Sequence, residues 1–152
     1  MPTEGIREQI PITNVLSELN TNWETDNVAK PSIIEMAGSA TTDATRIDLN
    51  KCDYLIGRPG SPSLEETPIG NWKYVNRMYN IEVELQTKDS RQRLYNLMRE
   101  VRKLCHSRRH SMDNFQRLQF LNFTEAVGEQ LRIWTGTIQL QVVNNGVLAE
   151  IT

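Results

Sequence analysis

Residues 79–104 read YNIEVELQTKDSRQRLYNLMREVRKL, and this stretch decides the fold. Apolar and polar residues alternate from Tyr79 to Gln86, which predicts a strand with one buried and one solvent-exposed face. Asp89 stands at a helix N-cap position with Gln92 three residues later, as in a capping box. Beyond it, apolar residues recur at helical spacing. They are Leu94, Leu97, Met98, Val101, Leu104 and Cys105. Neither element can bury its apolar face alone, so the remaining chain is expected to pack around this strand–helix unit.

Shorter elements are predicted on both sides of this unit. A helix begins at Pro11, which suits a first helical turn, and ends near Thr21. The hydrophobic pattern also predicts five strands, at residues 32–36, 46–49, 52–57, 115–123 and 131–143. The apolar phase of the last strand changes near Gly136, which predicts a β-bulge there. The expected fold class is α+β: a mostly antiparallel, mixed sheet with one long amphipathic helix and a short N-terminal helix packed on it.

The length of 152 residues predicts a single domain, residues 1–152. Within it we expect a loose N-terminal segment at residues 1–10 and a short tail at residues 144–152. Residues 57–73 contain three prolines and are expected to form a long Pro/Gly loop, because this composition disfavours regular structure. Two interpretations of the loop stay open: a mobile surface loop, or an arm that becomes ordered against a neighbouring molecule.

Charge is distributed unevenly along the chain. The formal net charge is -2, but residues 1–87 hold 7 Lys/Arg and 13 Asp/Glu, whereas residues 88–117 hold 9 and 3. Separate patches of unlike sign favour head-to-tail contacts or an acidic partner. The hydrophobic content of 38% is low, which indicates either many loops or a core completed by neighbouring subunits. No apolar run approaches 18 residues, so no membrane partner is expected.

Chemistry-bearing motifs are scarce. Glu82 and Glu84 share the exposed face of a strand, but solvated strand faces carry such pairs routinely. His106 and His110 share a helix face, whereas Cys105 points to the opposite, apolar side, so a third convergent metal ligand is missing. The sequence therefore predicts no catalytic, cofactor or metal site, and no enzyme. Cys105 is expected to be a buried free thiol.

Basic residues line the exposed side of the helix at residues 89–109. With His106, they are Arg91, Arg99, Arg102, Lys103 and Arg109. Three interpretations stay open: a solvated helix face, a protein–protein contact, or a surface that binds nucleic acid. The strand–helix–strand–strand order faintly resembles an RNA-recognition fold, but the aromatic-plus-basic strand motif of that fold is missing.

A larger pattern extends over roughly residues 10–143. In order, it comprises Trp23, Lys30-Pro31-Ser32-Ile33-Ile34, Arg46-Ile47-Asp48-Leu49, Asp53-Tyr54-Leu55-Ile56, residues 79–87, the Arg-rich helix and the strand that contains Trp134. This order and spacing resemble the tail-terminator (tail-completion) proteins of tailed bacterial and archaeal viruses. The resemblance implies a sheet with helices packed on it, no catalytic residues, and a usually hexameric ring that caps the tail tube. The loop at residues 57–70 departs from the family.

The resemblance sets the functional expectations. We expect a structural virion protein, assembled in the host cytoplasm, whose homo-hexameric ring contacts the tail tube protein and the neck or connector protein. A passing contact with genomic DNA is a further expectation. The candidate contact residues are Arg91, Arg99, Arg102, Lys103, Arg109, Glu65, Glu66 and Trp72. The alternatives are another neck or tail component of the same particle, or a nucleic-acid-binding module that uses helix 89–109.

Overall fold

The structure is a computed structural model that describes residues 10–37, 53–69, 74–110, 115–126 and 133–147. Its elements are α1 (Pro11–Asn22), β1 (Ile33–Met36), β2 (Tyr54–Ile69), β3 (Tyr74–Thr87), α2 (Arg91–Ser107), β4 (Arg117–Glu125) and β5 (Trp134–Val147). The strands form one sheet in the order β1-β2-β3-β5-β4. Only β1 and β2 are parallel. The predicted α+β class with a mostly antiparallel, mixed sheet is confirmed. The predictions for residues 1–9 and 46–49, and for the parts of the loop and tail at residues 70–73 and 148–152, lie outside the described residues.

The central strand β3 carries the core. Its Ile81, Val83 and Leu85 point to one side of the sheet and are at most 1% exposed. The predicted apolar stripe of α2 covers this side, and all six of its members are buried. Helix α1 lies on the same side, because its Ile12 and Leu16 pack directly over Gly57 of β2. Both helices therefore cover one face of the sheet.

The start of α2 differs from the prediction. The N-cap is Ser90, whose Oγ accepts a hydrogen bond of 3.1 Å from the backbone N–H of Arg93. Asp89 precedes the cap, and its own N–H donates to Thr87 Oγ1 at 3.2 Å. Asp and Ser are about equally favourable as N-cap residues. Which of the two caps α2 therefore depends on the length of the turn after β3. The end of α2 falls within the expected range, since Arg108 is its C-cap.

Residues 57–69 are not a loop, because they continue β2 and pair with β3. The prediction was wrong because no described strand lies beside β2 beyond residue 57: within the described part of the chain, β1 pairs only with residues 54–57. On a free edge, the missing N–H of a proline removes no hydrogen bond from the ladder. The prolines tolerated here are Pro59, Pro62 and Pro68.

A large irregularity in β2 takes up the extra residues of this Pro/Gly segment. The pairing with β3 shifts between Pro59 and Leu64. Gly60 is required within this bulge, because a Cβ there would lie 2.8 Å from Asn80 Cβ. Asn80 Nδ2 also donates to Pro62 O at 2.9 Å, which ties the bulge to the central strand.

The last strand is also longer and more regular than expected. Gly136 is not at a bulge, since β5 pairs with β3 without interruption; the bulge lies in β4, between Phe120 and Asn122. Gly136 instead makes room for Phe123, whose ring atoms would lie 2.5 Å from an added Cβ. Residues 144–147, assigned to the tail, continue β5.

Gly136→Ala is therefore expected to lower the free energy of unfolding by about 1–3 kcal/mol, because the added methyl group must displace the Phe123 ring. Urea denaturation of both proteins measures the difference. In a Phe123→Leu background the same substitution is expected to cost less, because the clashing ring atoms are gone. An equal cost in the two backgrounds would contradict this explanation.

Candidate functional site

One face of the sheet carries no helix within the described part of the chain. We call it the open sheet face: the side of β2, β3 and β5 that points away from α1 and α2. Along β3 the residues on this side are half-buried between positions 76 and 84, whereas those on the helix side from 79 onwards are buried. Its polar side chains pair across the strands. The contacts are Arg58 Nη2–Glu84 Oε2 at 2.7 Å, Gln139 Nε2–Glu82 Oε1 at 3.0 Å and Gln141 Nε2–Asn80 Oδ1 at 3.2 Å.

Two carboxylates on the open sheet face have no cationic partner among the described residues. Glu84 is compensated by Arg58, but Glu82 accepts only from the neutral amide of Gln139. Glu65 is exposed on the same face, because it lies opposite Met78 of β3. The four residues from Met78 to Glu82 place the two carboxylates roughly 13 Å apart along the strand.

The structure separates the neighbouring acids of the predicted loop. Glu65 lies on the open sheet face, whereas Glu66 points to the helix side and accepts from Arg77 Nε at 3.1 Å. The alternation of side chains along β2 produces this difference. Trp72, the third candidate from this region, lies outside the described residues.

Much of the basic charge of α2 is neutralised within the chain. Ion pairs join the helix to α1 and the turn after it, to the start of β2 and to the end of β4. They are Arg108–Glu18 (3.0 Å), Lys103–Glu24 (2.6 Å), Arg93–Asp53 (3.1 Å) and Arg91–Glu125 (2.7 Å). Two of the predicted contact residues, Arg91 and Lys103, are therefore partly occupied by internal contacts.

The side chains of the other three predicted basic residues have no hydrogen-bond or ion-pair partner among the described residues. Arg99 and Arg102 are exposed on α2, and exposed Arg109 follows two residues after its end. Arg99 and Arg102 are three residues apart on one side of α2, and Arg109 lies just beyond the C-cap Arg108. We call these three side chains the free arginine row. It belongs to the helix layer, on the opposite side of the molecule from the open sheet face.

A polar cleft of about 370 Å³ lies between α2 and the turn after α1. It is lined by Asn27, Val28, Asn96, Arg99, Glu100 and Lys103. Glu100 is only 2% exposed and accepts a hydrogen bond from the backbone N–H of Glu24 at 3.3 Å. This contact fastens the turn to α2. Sequence reasoning missed Glu100, because a charged residue on an amphipathic helix gives no signal that a distant turn will bury it.

The cysteine and histidine side chains of the described residues do not converge on a common site. Cys105 is buried as expected and is a free thiol, and burial raises its pKa to about 12. His106 and His110 are both exposed, and no group of three or more His, Cys, Asp or Glu in the described ranges could hold a metal ion. Neither α1 nor α2 is long and apolar enough to span a bilayer.

No protein-family model matches this chain, and no curated protein is significantly similar to it. The surfaces described above are therefore the main guide to function.

Glu24→Gln is expected to lower the pKa of Lys103 toward its ordinary value of 10.5, because the hydrogen bond and charge of Glu24 now raise it. Conversely, Lys103→Met is expected to raise the pKa of Glu24 toward 4.5. NMR titration of the two side chains measures both shifts. Asp26→Asn, an exposed neighbour, is the control and is expected to leave the pKa of Lys103 unchanged.

The sign of the pH dependence follows from these directions. Because the pKa of folded Glu24 is lowered, its contribution to stability is present above pH 4.5 and is lost as pH falls through the folded pKa. Because the pKa of folded Lys103 is raised, its contribution is present below pH 10.5 and is lost as pH rises through the folded pKa. Unchanged pKa values in both variants would contradict the pairing.

Proposed function

We propose that this protein is a structural subunit of a tailed-virus particle, forming a ring that terminates the tail tube and joins it to the neck below the capsid. The observation that carries the proposal is the presence of two unlike surfaces on opposite sides of one small chain. One is the open sheet face with Glu65 and Glu82, and the other is the free arginine row.

Such a chain is suited to contact its own copies. A patch that meets a different patch on the next copy makes a heterologous interface, which closes into a ring when the rotation between copies permits it. The resemblance in element order to tail-terminator proteins supports a hexameric ring at the tail–neck joint. Its proposed partners are the tail tube protein and the neck or connector protein. This role requires neither a cofactor nor a catalytic residue.

The proposal is tested by the mass of the assembled protein and by its place in the particle. Native mass spectrometry and light scattering of the purified chain are expected to show a closed oligomer, with six copies as the first expectation from the resemblance. Mass spectrometry of purified virions is expected to detect the chain, and antibody labelling is expected at the tail–neck joint. A strict monomer that is absent from virions would end the proposal.

The free arginine row favours nucleic-acid binding as a second candidate function, because its guanidinium groups have no partner among the described residues. On this hypothesis, duplex DNA binds with an affinity that falls steeply with salt. Arg99→Glu combined with Arg102→Glu is expected to weaken binding by at least about tenfold in fluorescence anisotropy. Lys30→Glu with Lys88→Glu, an equal charge change away from the row, is the control. No detectable binding at low salt would remove this candidate.

A further inference from the structure

We propose that neighbouring copies of this chain dock front to back, with the free arginine row of one copy placed on the open sheet face of the next. The inference rests on the proposed ring and specifies its interface. It commits to one occupant for the open sheet face, the helix layer of a second copy. The reasons lie in the sheet edges, in the charges and in their spacing.

Two of the described sheet edges, those of β4 and of β2 beyond residue 57, are poorly suited to pairing with another strand. On the outer edge of β4, the N–H of Leu118 already donates to Arg109 O at 2.8 Å, and the bulge after Phe120 interrupts the ladder. The outer edge of β2 beyond residue 57 contains Pro59, Pro62 and Pro68. Prolines and bulges are the devices by which proteins block edge-to-edge association. Copies of this chain are therefore expected to recognise each other through side chains rather than by extending the sheet.

The two faces complement each other in charge. Glu65 and Glu82 form no ion pair in the described structure, because Arg58, which lies opposite Glu82 on β2, pairs with Glu84 instead. Arg117 of β4, opposite Val143, is a second cation on this side of the sheet. The side chains of the free arginine row have no anionic partner among the described residues. Arginine binds carboxylates through two parallel hydrogen bonds, so each such contact also fixes orientation. The half-exposed amides of Gln139 and Gln141 flank the carboxylates and offer further hydrogen-bonding groups.

The spacing of the carboxylates on the open sheet face is similar to the spacing of the arginines in the free arginine row. The carboxylates of Glu65 and Glu82 are separated by roughly 13 Å along the strand direction. From Arg99 to the C-cap Arg108 the helical rise gives roughly 13 Å, and Arg109 follows one residue later, outside the helix. Long arginine side chains cover the remaining difference. Because the two faces differ, the contact is heterologous and repeats from copy to copy, and it closes into a ring when each copy is rotated relative to the previous one.

The test uses two charge-reversed variants of the full chain. The first combines Arg99→Glu with Arg102→Glu, which makes both contact faces acidic. The second combines Glu65→Arg with Glu82→Arg, which makes both faces basic. Each variant alone is expected to need at least about tenfold more protein to assemble than the wild type, because like charges now oppose each other. Analytical ultracentrifugation over a concentration series measures this change.

Mixing the two variants is the decisive step. An equimolar mixture is expected to assemble at wild-type concentrations, because each acidic face then meets a basic one in alternating copies. Restored assembly cannot come from misfolded chains, so a folding defect is separated from a lost contact. Lys30→Glu with Lys88→Glu, which makes the same charge change as the first variant at exposed sites elsewhere, is expected to assemble like the wild type.

The outcomes separate this inference from the proposed function. If the wild type forms a ring and each variant alone still assembles, the interface lies elsewhere and only the inference falls. The same holds if the variants fail alone and their mixture also fails. If the wild type is a monomer at high concentration and is absent from virions, the proposed function falls and the inference falls with it.

Discussion

The rest of the structure depends on the burial of one face of β3 beneath α2. Ile81, Val83 and Leu85 meet the stripe of α2 that includes Leu97 and Val101, and each of these side chains is at most 1% exposed. A fully buried aliphatic side chain contributes about 1.5–3 kcal/mol, so this contact outweighs any of the surface ion pairs. Because α1 joins α2 on the same side, the described part of the opposite face keeps its polar side chains and has no helix over it. The open sheet face is thus a consequence of where the core formed.

Electrostatics then divides the basic residues of α2 into two groups. Arg93 illustrates the first group: it pairs with Asp53 at 3.1 Å, both side chains are about five-sixths buried, and its guanidinium also donates to Ala29 O at 2.6 Å. Residues of this group fasten α2 to neighbouring elements. The second group is the free arginine row. Its Arg99 and Arg102 lie on the part of α2 that faces away from the sheet, and Arg109 lies just beyond the C-cap. A count of charges along the chain cannot separate these groups, because the acidic partners come from α1, the turn after it, the residue before β2, and β4.

The strand–helix unit and its buried residues could be predicted because hydrophobic periodicity is a local property of the chain. The errors have equally physical origins. The Pro/Gly composition of residues 57–69 is compatible with an edge strand as well as with a loop, and among the described strands only the short β1 lies on that edge. The placement of the bulge at Gly136 followed from apolar phase, yet the glycine instead accommodates Phe123 of the neighbouring strand.

The amino-acid sequence by itself determined the fold class, the apolar stripe of α2, the free thiol at Cys105 and the uneven distribution of charge. Each of these depends on the identities of residues that are close together in the chain. Only the tertiary structure decided which charges are compensated, because ion pairs such as Arg91–Glu125 and Lys103–Glu24 join residues far apart in the chain. It also decided that Glu65 and Glu66 lie on opposite faces, since the strand register that orients them is set by pairing with β3. Long-range contacts, which no local pattern encodes, therefore define the surfaces available to partners.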